Sequence, residues 1–355
     1  MLCTGVLYNK SMSDLWNYLK EQNRPVVLYG MGNGADKIIS VLNGYGIKPS
    51  GVFSSADFVR EKTFHEMPLL TYERAKELFP GMIVLLCFGT GLPRVIENIR
   101  KIAAETELYA PDVPVCGGEL FDIRFARRNA EKIGAVYKML ADETSKKTYE
   151  NIIRYKLSGD INLLFGCETA EDEAFSGFFA CGCNENFLDL GAYRGDTVLS
   201  FVSRAKKWQS ITAVEPDRKT FAKLCENTKD IKNIKLLNAA VSDRCGSVLF
   251  GEEGSRGSHI GTGVPVNSVS ADGILPKNGF SLIKVDTEGA ETAFLNGAAK
   301  TIERFRPKMQ IAAYHKSADI FEIPLKVAEM YPDYKVYLRH FPCLPAWDTN
   351  YFFVP

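Results

Sequence analysis

Short apolar segments that end in glycine and are followed by a helical pattern occur in both halves of this 355-residue chain. In the first half, residues 25–30 (PVVLYG) precede a helix with apolar residues at Ile38 and Leu42. In the second half, residues 187–190 (FLDL) precede a glycine loop and a helix over 195–206. Alternation of buried strands and helices is typical of a doubly wound, parallel α/β sheet. The sequence therefore predicts two such sheets.

The two predicted sheets are separated by a stretch of different character. Residues 119–160 are rich in charged residues and helix formers, which predicts helices with no strand between them. We therefore expect an α/β fold in which two Rossmann-like sheets are joined by a helical segment. The predicted domains are 1–120 (a Rossmann-like N-terminal domain), 121–183 (a helical connector) and 184–355 (the second sheet).

The end of the chain departs from strand–helix alternation. Strands are predicted at 334–339 (YKVYLR) and near 350–354, and no helical pattern separates them. This order predicts a sheet whose last strand inserts antiparallel to the rest. Residues 242–279, by contrast, are polar and rich in glycine, and within them residues 251–263 are expected to form a mobile active-site loop. Its predicted ligand contacts are Ser255, Arg256 and His259.

Charge excludes some classes of function. The chain has 43 basic and 43 acidic side chains, and the balance is local: 12 and 13 over 1–120, 9 and 10 over 121–180, and 22 and 20 over 181–355. A nucleic-acid partner is therefore not expected, because such binding needs clustered lysine and arginine. The longest strongly apolar run, 82–88, is too short to span a membrane.

Cysteine usage and the N-terminus favour a cytoplasmic protein. The nine cysteines are scattered without a CxxC pair, which indicates reduced thiols and no zinc site. No basic segment followed by an apolar core appears at the N-terminus. We therefore expect a cytoplasmic protein without a resident metal, and the sequence leaves a homodimer open.

The first glycine loop, Gly30-Met31-Gly32-Asn33-Gly34-Ala35, partly matches a dinucleotide-binding fingerprint. Its sixth position is Ala35, and the next strand ends at Phe53 without the acid that would bind a ribose. The nearest acid, Asp57, lies beyond that strand. NAD binding, a sugar or nucleotide-sugar role, and a structural or substrate-orienting domain all stay open for this half.

The second loop, residues 188–197 (LDLGAYRGDT), favours a different cofactor. It lacks the Gly-x-Gly start that seats a pyrophosphate, and Asp189 would repel a phosphate but attract an ammonium group. Glu215 follows Gly191 by 24 residues and ends the next strand, where a carboxylate can accept both ribose hydroxyls. Together these features favour S-adenosyl-L-methionine over NAD.

Several segments of the second half resemble the FkbM family of class I, S-adenosylmethionine-dependent methyltransferases. They are FLDLGAYRGDT (187–197), AVEPD (213–217), NAAVSD (238–243), IKVDTEGAE (283–291) and the tail 337–355, with 141–160 resembling the segment before the family's core. Residues 24–118 resemble the N-terminal domain of bacterial sugar acyltransferases. The resemblance implies O-methylation of a hydroxyl of a sugar, a glycan or a secondary metabolite.

The resemblance also implies cofactor-binding roles. The methionine part of the cofactor would be held by Asp189, Gly191, Ala192, Tyr193, Gly195, Asp196 and Thr197. The ribose would be held by Glu215, with Pro216 and Asp217 beside the adenine and Ala240, Val241 and Ser242 lining its pocket. Asp286 and Glu288 would lie at the strand end that faces the transferred methyl group.

Methyl transfer to a hydroxyl requires alignment and removal of a proton. Asp286 is the first candidate base, Glu288 lies beside it, and His315 is the second candidate base because it follows the strand predicted over 309–314. His340 also follows a predicted strand. Asp286, His315 and His340 could together bind a divalent metal, although we expect none.

Two readings of other classes compete with the methyltransferase. One is a nucleotide-sugar or dinucleotide-binding protein without transferase activity. The other is an NAD-linked oxidoreductase that uses the loop from Gly30 to Ala35.

Overall fold

The computed structural model describes residues 13–55, 63–179, 182, 184–205, 207–251 and 263–355. In the first half, described strands form a sheet of order β3-β4-β2-β1-β5-β6, and only the β3–β4 pair is antiparallel. These strands are Val26–Tyr29 (β1), Gly51–Phe53 (β2), Thr63–Phe64 (β3), Met67–Leu70 (β4), Ile83–Leu86 (β5) and Glu107–Tyr109 (β6). The helices of this half are Leu15–Glu21 (α1), Asn33–Gly44 (α2), Tyr72–Leu78 (α3) and Pro93–Glu105 (α4).

The middle of the chain is helical. Its helices are Ile123–Arg128 (α5), Ala130–Met139 (α6), Glu143–Ser158 (α7), Ile161–Phe165 (α8) and Glu171–Phe178 (α9). The α7 helix begins after Asp142, whose carboxylate accepts the Ser145 amide 2.7 Å away. Its last residue precedes Gly159, which has a left-handed backbone.

The second half forms a larger sheet and a small one. Its strands are Glu185–Leu190 (β7), Trp208–Val214 (β8), Ile234–Leu237 (β9), Ala240–Val241 (β10), Gly246–Phe250 (β11), Val264–Val269 (β12), Leu282–Val285 (β13), Lys308–Ala312 (β14), Lys335–His340 (β15) and Thr349–Val354 (β16). Its helices are Asp196–Arg204 (α10), Arg218–Asn227 (α11), Glu291–Gly297 (α12), Ala299–Phe305 (α13) and Asp319–Met330 (α14).

The larger sheet has the order β15-β16-β14-β13-β7-β8-β9. Strand β16 runs antiparallel to both β14 and β15, which confirms the predicted insertion of the last strand. The small sheet has the order β10-β12-β11, and its strands β11 and β12 lie within residues 242–279, where the sequence predicted only a polar, glycine-rich stretch. Two α/β sheets joined by helices also confirm the predicted fold class.

One apolar core joins the two sheets through the connecting helices. The same cluster of buried side chains contains Val27 of β1, Ile152 of α7 and Ile283 of β13. The α7 helix carries its apolar residues at helical spacing, and Tyr149, Ile152 and Ile153 are buried. The connector therefore packs on both sheets and holds them together.

Polar contacts fix the same arrangement. Thr90, after β5, exchanges two backbone hydrogen bonds with Leu344, at 2.7 and 2.9 Å. The Lys156 ammonium lies 2.9 Å from Asp112 Oδ2, and the Lys156 side chain is only 2% exposed. A buried ion pair is costly to break, because removing one partner leaves the other charge buried and unpaired.

Replacing Lys156 with Met should lower the free energy of unfolding by about 3–5 kcal/mol, since Asp112 would stay buried without its partner. Lys146→Met is the matched control, because Lys146 is also on α7 but pairs with Glu143, whose side chain is 87% exposed. That change should cost much less, because solvent screens an exposed ion pair. Urea unfolding followed by circular dichroism measures both, and equal losses would contradict the assignment.

Candidate functional site

A cavity of about 690 Å³ lies at the carboxyl ends of the strands of the larger sheet. Eleven of the predicted cofactor-binding residues line it: Gly191, Ala192, Tyr193, Asp196, Thr197, Glu215, Pro216, Asp217, Ala240, Val241 and Asp286. The other three lie off its wall. Asp189 is fully buried on β7, Gly195 precedes α10, and the Ser242 amide donates to the Val269 carbonyl at 2.9 Å.

The glycine loop after β7 is in direct contact with the end of β13. Gly191 has a φ of +81°, and a Cβ added there would lie 1.8 Å from the Asp286 carbonyl oxygen. Only glycine fits both the backbone angle and this close approach. The contact brings the loop next to Asp286, which is remote from it in sequence.

Glu215 is held rigidly at the end of β8. Its two carboxylate oxygens accept the amides of Tyr193 at 3.0 Å and Asp217 at 2.9 Å. Burial raises the pKa of Glu215 to about 7, although the two amides act in the opposite direction. Each carboxylate oxygen keeps a second lone pair for a donor in the cavity.

Three polar side chains stand in one row across the middle of the sheet. Asp189 on β7, Lys284 on β13 and Gln310 on β14 are register neighbours. The Lys284 ammonium lies 3.8 Å from Asp189 Oδ1 and 3.5 Å from Asp286 Oδ2. Burial raises the pKa of Asp189 to about 6, which Lys284 opposes.

Lys284 was not predicted as a site residue. It lies on the cavity wall. Burial lowers the pKa of Lys284, but Asp189 and Asp286 outweigh this effect, and the pKa is raised. The signal available in the sequence was a lysine inside an apolar strand, within the motif IKVDTEGAE. Such a residue is rarely buried unless a carboxylate pairs with it.

Asp286 presents its carboxylate to the cavity, with its side chain 25% exposed. Its Oδ1 accepts a hydrogen bond from the Tyr314 hydroxyl at 2.9 Å and lies 3.4 Å from His315 Nε2. Glu288 lies on the same wall, and burial raises its pKa. Glu288 Oε2 is 3.6 Å from the same histidine nitrogen. Two carboxylates therefore share one cationic neighbour.

His315 itself is fully buried and does not line the cavity. Its Nδ1 lies 3.0 Å from Glu291 Oε1. Burial lowers the pKa of His315, but Glu291, Asp286 and Glu288 outweigh it and raise the pKa to about 10. The ring is therefore protonated at neutral pH. This differs from the predicted role as a base, because a cation behind the wall cannot accept a proton from an acceptor.

Glu291 completes this buried group. Although burial raises its pKa, His315 and the Thr287 amide outweigh this effect and lower the pKa to about 2. Its Oε1 accepts the Thr287 amide at 3.0 Å and the Thr287 hydroxyl at 3.1 Å. Glu291 thus ties His315 to the turn between β13 and α12.

His340 lies apart from this group. It is fully buried, its Nδ1 is 3.0 Å from Thr349 Oγ1, and burial lowers its pKa to about 4. Over the described ranges, no three or more His, Cys, Asp or Glu side chains are grouped to hold a metal ion, Asp286, His315 and His340 included. Ser255, Arg256 and His259 lie outside the described residues.

Other parts of the chain also reach the cavity. The first half contributes Gly91 and Val115, and the connector contributes Ala170, Glu171 and Phe175. Tyr314 and the loop between β15 and β16 complete the wall, the loop with Phe341, Pro342, Trp347 and Asp348. The sequence has no local signal for these residues, because only tertiary packing brings them here.

A family model described as a methyltransferase FkbM domain matches residues 189–340. Residues 189–340 belong to the FkbM methyltransferase family. The protein is therefore a methyltransferase, and its cofactor is S-adenosyl-L-methionine, as the sequence predicted. No curated protein matches the chain.

One solved structure extends the likeness of fold to the whole chain. The crystal structure of methyltransferase FkbM from Methylobacillus flagellatus KT matches with a TM-score of 0.73 at 18% identity, covering 99% of this chain and 97% of that one. SMU.1697c, a putative methyltransferase from Streptococcus mutans in complex with SAH, matches with a TM-score of 0.33 at 13% identity, covering 51% and 93%. The first match shows that the two-sheet fold as a whole recurs.

The residues present fit the cofactor. Gly191 leaves room at the strand end, Glu215 offers two fixed acceptor oxygens, and the cavity of about 690 Å³ is in the range of small-molecule sites. None of the described helices is long and apolar enough to cross a membrane.

Replacing Glu291 with Gln should destabilise the protein by about 3–5 kcal/mol at neutral pH, because the His315 charge would lose its nearest buried partner. The stabilisation from the raised pKa of His315 is complete below about pH 6.5 and is lost as the pH rises through about 10. The gap in melting temperature between the native chain and E291Q should therefore shrink between pH 7 and pH 10.5.

Glu322→Gln serves as the control, because the side chain of Glu322 is 53% exposed and its ion pair with Lys132, at 3.6 Å, lies at the surface. It should shift stability by at most about 1 kcal/mol at either pH. A gap for E291Q that stays constant up to pH 10.5 would rule out a charged His315.

Proposed function

We propose that this protein transfers the methyl group of S-adenosyl-L-methionine to a hydroxyl of a sugar, a glycan or a secondary metabolite. The observation that carries the proposal is the position of Asp286, whose side chain lies on the cavity wall and whose backbone carbonyl is next to Gly191. A hydroxyl must lose its proton to become a good nucleophile, and a carboxylate at this point can accept it. Asp286 is accordingly the proposed base.

The cofactor half of the cavity lies over β7 and β8. We assign the ribose hydroxyls to Glu215 and the adenine to the side of Asp217, Ala240 and Val241. Gly191 and the residues up to Thr197 would hold the methionine part. When bound, S-adenosyl-L-methionine supplies an electrophilic methyl group on a sulfonium.

The other residues orient the acceptor and the proton. Asp286 Oδ1 accepts the Tyr314 hydroxyl, and Oδ2, which lies 3.5 Å from the Lys284 ammonium, is the oxygen that we assign to the acceptor proton. The acceptor oxygen would gain the methyl group as the methyl–sulfur bond of the cofactor breaks, and Asp286 would take up the proton of the hydroxyl. Glu288 is the second candidate, because burial raises its pKa and so favours proton uptake.

The competing binding-protein reading is not retained, since the matched family is one of methyltransferases. We also propose that the chain has three domains, at 1–120, 121–183 and 184–355. We further propose that the enzyme is cytoplasmic and has no nucleic-acid partner. The balanced charge of all three segments supports the last point.

Glu215→Gln should weaken S-adenosylhomocysteine binding by about 10- to 100-fold, because hydrogen bonds to a charged group are lost. Affinity of the unaltered chain should fall from pH 8 to pH 6, as Glu215 with a pKa of about 7 takes up a proton. Calorimetry measures both, with Glu226→Gln as control, since that carboxylate is 71% exposed. If E215Q binds S-adenosylhomocysteine as tightly as the unaltered chain and without dependence on pH, Glu215 does not bind the cofactor.

Asp286→Asn should reduce methyl transfer by about 10²- to 10⁴-fold, the usual contribution of a general base. S-adenosylhomocysteine affinity should change by only a few-fold. Transfer of tritium from methyl-labelled cofactor to a panel of glycosides and macrocyclic alcohols provides the assay. If Glu288→Gln causes the larger loss, the base is Glu288 instead, and full activity of D286N would exclude Asp286.

A further inference from the structure

The cavity has a second half that the cofactor residues do not use. In the sheet, β13 with Asp286 at its end separates the cofactor strands β7 and β8 from β14 and β16. Gln310 on β14, Asn350 on β16 and Trp347 before β16 all line the cavity on this side. An acceptor that approaches Asp286 from this side would meet these three side chains.

Gln310 is a buried amide with an unmet hydrogen bond. Its side chain is on the cavity wall, the residue is 5% exposed, and its Oε1 bonds to no described residue. Leaving such an atom unpaired destabilises the protein. A hydroxyl donor in the cavity would satisfy it.

Asn350 extends this polar surface. It pairs with Ala312 across the β14–β16 ladder, which makes it a diagonal neighbour of Gln310 on the same face. Asn350 is only 3% exposed. An amide both donates and accepts hydrogen bonds, as a hydroxyl does, so two adjacent amides suit a ligand with several hydroxyls.

Trp347 lies beside these amides and is positioned by the first half of the chain. A Cβ added to Gly89 would lie 1.9 Å from Trp347 Cζ3 and 2.3 Å from Cε3, so the six-membered ring covers Gly89. The two hydrogen bonds between Thr90 and Leu344 hold the same loop. The tryptophan thus rests on the N-terminal domain.

We propose that this half of the cavity is an acceptor subsite for a sugar ring, with Trp347 as its platform and Gln310 and Asn350 as partners of the ring hydroxyls. The inference rests on the proposed O-methylation and narrows its acceptor class. A pyranose has an apolar C–H face for the tryptophan and hydroxyls at its edge for the amides. A hydrocarbon or unsubstituted aromatic ring would leave Gln310 Oε1 unpaired. The N-terminal domain then serves the site by supporting Trp347 through Gly89.

Saturation-transfer NMR tests the subsite without requiring methyl transfer. The probes are methyl glycosides of glucose, galactose, mannose, rhamnose and fucose, with cyclohexanol and phenol as rings of similar size, all with S-adenosylhomocysteine present. We expect at least one glycoside to bind more tightly than either comparison ring. Binding by the comparison rings alone, or by none of the probes, would overturn the sugar subsite.

Gln310→Leu separates a binding role from a structural one. It replaces the unpaired amide by an apolar group of similar size, so the melting temperature should hold or rise while glycoside binding weakens about tenfold. Trp347→Ala should weaken it by about 5- to 10-fold, with Trp347→Phe as the milder variant if Ala impairs folding. Unchanged glycoside binding in Q310L would refute the proposed hydrogen bond between the Gln310 amide and a ring hydroxyl.

Gly89→Ala tests the support from the N-terminal domain. The added Cβ should displace Trp347 and weaken glycoside binding, while S-adenosylhomocysteine affinity stays within a few-fold. Gly44→Ala is the matched control, because a Cβ at Gly44 meets nothing within 4 Å. Equal glycoside affinity in G89A and G44A would refute the role of Gly89 in supporting Trp347.

A separate outcome distinguishes this inference from the proposed function. Methylation of non-sugar alcohols alone by the native enzyme would refute the sugar acceptor but not O-methylation. Methylation of amines alone would refute O-methylation itself.

Discussion

The carboxylates at the end of β13 depend on a charged histidine that water does not reach. His315 carries its positive charge because Glu291 lies on one side of the ring and Asp286 and Glu288 on the other. Its carbonyl oxygen also accepts the amides of Val115 and Cys116 at 2.9 and 3.1 Å. His315 therefore contacts both the segment of Val115 and Cys116, which belongs to the first half of the chain, and the carboxylates of the site.

The charges of the site explain why a protein without net charge can bind a cationic cofactor. Asp189 and Asp286 flank the single Lys284 ammonium, which leaves this group with one net negative charge when both carboxylates are ionised. The lysine relieves the repulsion between the two carboxylates in a buried place, where such repulsion is strong. A few placed groups set the local potential, and the overall balance of the chain has little bearing on it.

The sequence predicted the cofactor side of the site far better than the acceptor side. The loop after β7 and Glu215 belong to consecutive strand–loop–helix units, so spacing along the chain reports their geometry. Gln310 and Trp347 reach the cavity through sheet register and domain contact, which spacing does not record. His315 shows the other limit: its position after a strand was visible, but the three carboxylates that fix its proton are a tertiary feature.

The first glycine loop shows how one sequence pattern can have two physical causes. A Cβ at Gly34 would lie 2.2 Å from the Cys87 carbonyl oxygen, and one at Gly30 would lie 2.5 Å from the Phe88 ring. Gly32 has a φ of +95°, which itself favours glycine. Packing and backbone angle thus account for all three glycines without a pyrophosphate. The edge of the first sheet beside them, where open α/β sheets bind ligands, is where Gly89 meets Trp347. In this chain the glycine pattern therefore reflects close packing and backbone angle.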